Sequence, residues 1–238
     1  MIKGIFFDLG GTLFSYKNVI KTTFPILDKA VKRSGKTPNT EQIRAAYKES
    51  SSEIASEYSS KNYYLHRDFF NDVFILFLKK LDLKYDRALL KWYANYHRDQ
   101  IIDCLELKTD CLDTLKKLKK NNIYTSIVSN IDEDMLNPLL EKGQILPFID
   151  DAISSEKAQS CKPDKKIFEL ALERSGIKAE ESFFVGDSPE HDIAGAAPFG
   201  FKTVLILDGG LEPPLQTGKN APNATYTIAS LSELTTLL

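Results

Sequence analysis

A small set of side chains can do chemistry in this chain, and most stand where a run of apolar residues ends. Ile5, Phe6 and Phe7 form a run of the kind that fills a strand buried on both faces, and Asp8 closes it. In an open parallel sheet, ligands sit just beyond the carboxyl ends of the strands. Asp8 is therefore where such a strand would deliver a reactive carboxylate. Gly10 and Gly11 follow at once, and glycines there let the backbone turn sharply and aim its N–H groups at an anion. Ser129 and Asn130 end a second apolar run, Lys162 stands in Cys161-Lys162-Pro163-Asp164, and Asp187 ends a third run with Asp192 five residues on. Each has an ordinary explanation by itself: turn residue, strand-end cap, solvated lysine, helix N-terminus. Together, in this order and at strand ends, they are hard to obtain by accident.

Something must position these residues. Residues 16–107 read as helical throughout, with no convincing strand. A first helix is expected over about 17–32, with a kink or break at Pro25. A second begins at Thr40, taken as its capping residue, and runs to about 58. A third, near 64–81, carries Phe69, Phe70, Phe74 and Phe77; a fourth, about 86–103, carries Leu90, Trp92, Tyr93 and Tyr96. Aromatic stripes at that spacing read as helix–helix packing, so the four helices form a small bundle. Beyond Leu107 strands at 123–128, 148–153, 182–185 and 202–207 alternate with helices at 110–120, 134–142, 165–175 and 191–197. Residues 209–223 read as a surface loop, followed by an edge strand and a helix capped by Ser230. Such alternation predicts an α/β fold with a parallel sheet and right-handed crossovers, which would gather Asp8, Ser129 and Asp187 along one edge.

With 31 basic and 33 acidic residues, the net charge is −2, which gives no electrostatic case for a nucleic-acid or membrane-surface partner. Three scattered cysteines have no metal-ligand spacing and suit a reducing compartment. No apolar run approaches the roughly 18 residues that span a bilayer. A soluble, cytoplasmic protein is the expectation, with its oligomeric state open.

The fragments FFDLGGTL, IVSN, CKPDKKIF and FFVGDSPEHD, in that order, together with the helical insertion after the first, resemble the haloacid dehalogenase-like (HAD) superfamily of hydrolases over nearly the whole chain. The resemblance implies a Rossmann-like core over residues 1–14 and 108–238 and a helical cap over 15–107, hinged after Leu13 and near Leu107. It implies Asp8 as nucleophile, forming an aspartyl-phosphate with Lys162 neutralising charge beside it. Mg²⁺ would be held by Asp8, Asp187 and the Gly10 carbonyl, with Asp192 on the metal or its water shell. Ser129 and the backbone N–H groups of Leu9, Gly10 and Asn130 would hold phosphoryl oxygens, and Thr12 would brace the loop. The residue chemistry agrees: an aspartate has an intrinsic pKa near ~3.9 and needs no base to ionise it, while repulsion from an anionic phosphate is answered by a cation and an ammonium. The expected substrate is a small phosphorylated metabolite.

One departure matters. Phosphatases of this type usually carry a second Asp two residues after the nucleophile to protonate the leaving group, and here Gly10 stands there. Loss of such a group costs about 10²–10⁴ in rate. Three explanations stand open: a leaving group that departs unprotonated, a substitute in the cap (His66, His97, Glu57 or Asp99), or a slow protein used for binding or regulation. Gly10→Asp would then be expected to speed hydrolysis of esters with poor leaving groups. A metal-independent 2-haloacid dehalogenase is the alternative activity; it needs no second Asp, but the paired Asp187 and Asp192 make sense mainly around a cation.

Overall fold

A computed structural model describes residues 1–209 and 221–238. The chain divides into two compact units: Met1–Tyr16 with Glu106–Leu238, and Lys17–Leu105.

The first unit is built on six parallel strands in the order β5-β4-β1-β6-β7-β8: β1 (Gly4–Phe7), β4 (Tyr124–Ser129), β5 (Asp151–Ser154), β6 (Ser182–Gly186), β7 (Lys202–Ile206) and β8 (Tyr226–Ile228). Every residue of β1 and β6 is buried, which is why their sequences run apolar without alternation. Phe6, Val128, Ile153 and Phe184 form one inner face, covered by Ile167, Phe168 and Ala171 of α8 (Lys165–Ser175). Phe6 and Phe184 both meet Phe201 edge-on, with ring centroids 5.3 and 5.6 Å away. Helix α5 (Cys111–Lys120) packs on β4 through Cys111, Thr114, Leu115 and Leu118, leaving its lysines outside.

A two-stranded antiparallel ribbon of β2 (Phe14–Ser15) and β3 (Glu106–Leu107) carries the chain out of this unit and back. These strands lie in and beside the stretch expected to be helical throughout; two-residue strands leave too short a pattern to read. The strand expected from 148 starts at Asp151 instead, because Pro147 sits in a 3₁₀ turn over Leu146–Phe148. The helix expected over 191–197 is a wide π-type turn, Pro189–Ile193, followed by short helical turns to Phe199. Ser230 caps the final helical segment in a reciprocal pair with Glu233, as expected. Most of the surface loop expected over 209–223 lies outside the described residues.

The second unit is a four-helix assembly: α1 (Val19–Arg33), α2 (Thr40–Tyr58), α3 (His66–Lys80) and α4 (Arg87–Cys104). Helix α2 packs on α3 and α1 on α4. Phe74 and Tyr93 stack at 3.6 Å between centroids, surrounded by Leu27, Val31, Ile43 and Phe77; the aromatic stripe is packing. One expectation is corrected, and of the two outcomes expected at Pro25 the break is excluded. Asn39, not Thr40, caps α2: its side chain accepts from Gln42 N–H at 2.9 Å while the Gln42 side chain accepts from Asn39 N–H. Helix α1 also runs through Pro25 without a break, the apolar face of Ile26, Leu27, Ala30 and Val31 outweighing one missing backbone donor. Among the described residues no helix is long and apolar enough to cross a membrane.

Candidate active site

From β1 the chain passes to β4 on one side and, later, to β6 on the other. Connections that diverge in this way leave a crevice at the carboxyl ends of the central strands. The Asp8 N–H donates to the Val185 carbonyl at 2.9 Å, so Asp8 continues the ladder one residue beyond β1. Ser129 ends β4, and Asp187 follows β6 directly. Lys162 comes from the loop between α7 (Ser155–Ala158) and α8, and Asp192 from the π-type turn.

Asp8, Lys162, Asp187 and Asp192 converge. Lys162 Nζ donates to Asp8 Oδ1 at 2.7 Å and to Asp192 Oδ1 at 2.6 Å. Asp192 Oδ2 accepts from the Ser188 N–H at 3.0 Å. One carboxylate oxygen from each of Asp8, Asp187 and Asp192 lies within 4.8 Å of the others, and all three residues are buried. The Asn130 side chain clamps the Lys162 backbone, its Oδ1 accepting from Lys162 N–H at 2.7 Å and its Nδ2 donating to the Lys162 carbonyl at 2.9 Å. Asn130 thus orients the lysine, a use that its position after β4 did not announce.

Three buried carboxylates share one ammonium, and the titration of Asp187 and Asp192 reflects that shortage. Burial pushes Asp187 up to about 9, helped by the charges of Asp8 and Asp192. Burial also pushes Asp192 up to about 6, against the pull of Lys162. Burial works against the charge of Lys162, but Asp192 and Asp8 outweigh it and raise the lysine to about 12. Hard oxygen donors with unbalanced negative charge are what a divalent cation takes; the cluster fits one.

The loop after β1 is held by its backbone. Gly11 N–H donates to the Phe14 carbonyl at 2.6 Å, and Leu13 and Phe14 N–H both donate to the Leu9 carbonyl. The Thr12 hydroxyl, fully buried, has no hydrogen-bond partner among the described residues, so the expected brace by Thr12 is not made by its side chain. Gly11 has φ +76°, and a Cβ there would overlap the Asp187 carboxylate; the close approach of Asp187 requires glycine.

Sequence reasoning missed three residues of this region. A Cβ built on Gly10 would lie 2.7 Å from Tyr16 Cζ and closer still to its hydroxyl oxygen: the phenol fills the space a side chain at position 10 would take. Its hydroxyl is held well above the ordinary tyrosine value by burial, then by the charges of Asp187, Asp8, Asp192 and Asp208. Asp208 Oδ2 accepts from the Tyr16 N–H at 3.1 Å and from Ser15 Oγ at 3.2 Å, while Asp208 Oδ1 pairs with Lys108 Nζ at 3.1 Å. Asp208 was findable, since it stands just past an apolar strand as Asp8 and Asp187 do. Nothing in local spacing marks Tyr16 or Lys108.

The candidate acids of the helical unit fare differently. His97 lies between the rings of Phe70 and Tyr93, at 4.9 and 5.2 Å, and burial lowers it to about 4, so the imidazolium form is disfavoured near neutrality. His66 is buried beside Tyr64. Glu57 and Asp99 are exposed, the latter paired with Arg98.

A family model described as haloacid dehalogenase-like hydrolase matches residues 2–200. The chain is 28% identical over 235 residues to a glyceraldehyde 3-phosphate phosphatase of Methanocaldococcus jannaschii, an alignment covering 98% of this chain and 96% of that protein. It is 35% identical over 163 residues to (S)-2-haloacid dehalogenase 4A of Burkholderia cepacia, covering 64% and 68%. Among solved structures, that of the HAD-hydrolase YfnB from Bacillus subtilis, bound to magnesium, superposes with a TM-score of 0.77 at 24% identity over 99% of this chain and 98% of that one, a likeness of fold.

Proposed function

Since the chain belongs to the haloacid dehalogenase-like hydrolases, we propose that it is a Mg²⁺-dependent phosphohydrolase of a small phosphorylated metabolite, working through an aspartyl-phosphate on Asp8. One observation carries the reading: Asp187 and Asp192 are buried beside Asp8, with Lys162 bonded to two of the three carboxylates. Two added carboxylates beside a nucleophilic one are a handicap unless a cation joins them. The relative aligned along almost the whole chain is a phosphatase of a phosphorylated triose, which makes that compound the first substrate to try.

Asp8, Asp187 and the Gly10 carbonyl would hold Mg²⁺, with Asp192 reaching it directly or through its water shell. When bound, the cation supplies the positive charge that lets an anionic phosphoryl group approach the carboxylate. Asp8 attacks phosphorus, the bond to the leaving oxygen breaks, and the phosphoryl group stays on Asp8. Water then attacks phosphorus, the bond to the Asp8 oxygen breaks, and inorganic phosphate leaves. Lys162 orients Asp8 and offsets charge on the phosphoryl oxygens. Ser129 and the N–H groups of Leu9, Gly10 and Asn130 would hold those oxygens.

The dehalogenase relative favours a second reading, in which Asp8 attacks carbon and a halide leaves. That reaction needs neither a metal nor a second Asp at position 10. One assay separates them: purified protein with glyceraldehyde 3-phosphate, p-nitrophenyl phosphate, acetyl phosphate and 2-chloropropionate, with Mg²⁺ or with EDTA. Metal-dependent phosphate release, abolished in Asp8→Asn, supports the phosphohydrolase. Chloride release in EDTA would establish the dehalogenase. Phosphate-analogue binding with no turnover of any substrate would point to a binding protein on this fold.

A further inference from the structure

An alcohol leaving phosphorus needs a proton as its bond breaks, and glycine at position 10 has none to give. The space beside Gly10 is nevertheless filled by a group that does. We propose that the Tyr16 hydroxyl, lodged where a side chain on Gly10 would stand, donates a proton to the leaving oxygen and then accepts one from the attacking water. This rests on the phosphohydrolase reading above.

Three observations carry it. A Cβ on Gly10 would meet Tyr16 at its hydroxyl oxygen first, then at Cζ (2.7 Å) and Cε1 (3.1 Å), so it is the polar tip of the ring that occupies the slot. The ring also passes Gly11, with Cε2 3.0 Å from a Cβ built there, and a side chain at either glycine would displace it. The backbone of Tyr16 is tied down by its N–H bond to Asp208, itself paired with Lys108 and bonded to Ser15. Asp208 and Lys108 are only 9% and 12% exposed in their side chains, an anchor well shielded from water. A residue that merely filled space would need no hydroxyl at that tip.

The cycle balances. As Asp8 bonds to phosphorus, the bond from phosphorus to the leaving oxygen breaks, that oxygen takes the Tyr16 proton, and tyrosinate remains. Water then gives its proton to tyrosinate while its oxygen bonds to phosphorus; the bond from phosphorus to Asp8 breaks, and the carboxylate and the phenol are both restored. Burial and then the neighbouring carboxylates keep the proton on Tyr16 in the resting site; a phenol is intrinsically a stronger acid than an alkyl alcohol, so it can pass that proton to a departing alkoxide. It is not needed when the leaving group is already a stable anion.

Tyr16→Phe keeps the ring and removes only the hydroxyl. Its kcat/KM should fall by about 10²–10⁴ for glycerol phosphate and other alkyl esters, while kcat/KM for acetyl phosphate is little changed. Acetate leaves without the Tyr16 proton, so the phenol stays protonated on this substrate, and phospho-Asp8 formed from acetyl phosphate, visible as added phosphate in the intact mass, should decay at the same rate in Tyr16→Phe and the parent. Thermal melting and Mg²⁺ titration of the variant should match the parent. Equal losses on both substrates, or no loss on the alkyl ester, would overturn the assignment to Tyr16 and leave Asp8 as nucleophile standing. Absence of any Asp8-dependent acetyl phosphate hydrolysis in the parent would overturn both.

Discussion

Lys162 Nζ lies 2.7 Å from Asp8 Oδ1 although 154 residues separate them along the chain. The same nitrogen holds Asp192 at 2.6 Å, so one side chain compensates two buried carboxylates. Breaking a buried ion pair by removing one partner leaves an uncompensated charge and costs about 3–5 kcal/mol. Lys162→Met should therefore lose stability on that order in urea unfolding, and phosphate release should fall with it. Asp8→Asn, which keeps a polar partner for the lysine, should abolish turnover with a far smaller loss of stability. Equal stability losses would mean that Lys162 is not the electrostatic centre of the cluster.

Stability of the metal-free protein should depend on pH through Asp187. A carboxylate whose folded pKa lies above its unfolded value binds the extra proton only in the folded state, so stability falls as pH rises between the two. For Asp187 that window runs from 3.8 to about 9, and for Asp192 from 3.8 to about 6. The Lys162 contribution is fully present below 10.5 and lost as pH rises through about 12. Unfolding free energy of the parent should thus decline relative to Asp187→Asn from about pH 4 to about pH 9. Parallel curves for the two proteins would contradict the assigned environment.

Mg²⁺ should reverse that trend, because it binds the ionised carboxylates and displaces their protons. A ligand at a hundred times its Kd adds about 2.7 kcal/mol, so the melting temperature should rise with Mg²⁺, more steeply at higher pH, and return in EDTA. Asp187→Asn should lose most of this response. A melting temperature indifferent to Mg²⁺ at every pH would remove the cation from the site.

Gly10→Asp is expected to lose stability and to gain no rate on esters, contrary to what the motif alone suggests. The new Cβ would overlap the Tyr16 hydroxyl, and overpacking of this kind costs about 1–3 kcal/mol. Gly10→Asp combined with Tyr16→Ser removes the clash and should recover stability together with ester hydrolysis. A faster single variant of parental stability would show that Tyr16 yields the space freely.

Asn130→Ala should lower kcat by loosening Lys162 and destabilise the fold by about 1–3 kcal/mol, since two backbone groups of Lys162 lose their partners. Asn130→Asp keeps the acceptor and should fall between the two. Kinetics and urea unfolding on the same preparations would check both effects.

Local order in the sequence determined the parallel alternation of strands and helices, the helical insertion and the stations of Asp8, Ser129 and Asp187. Those features follow from periodicity, and a parallel sheet turns every strand end toward one edge whatever the loops do. Tertiary structure alone decided that Lys162 bonds both Asp8 and Asp192, that the Asn130 side chain serves the Lys162 backbone, and that the Thr12 hydroxyl goes unused. It also decided that Tyr16 fills the space at Gly10 and that Asp208, paired with Lys108, holds its backbone. Each of these is a contact through space between groups whose spacing in the chain carries no period, and a local pattern records which face a residue takes but not which distant atom it meets there.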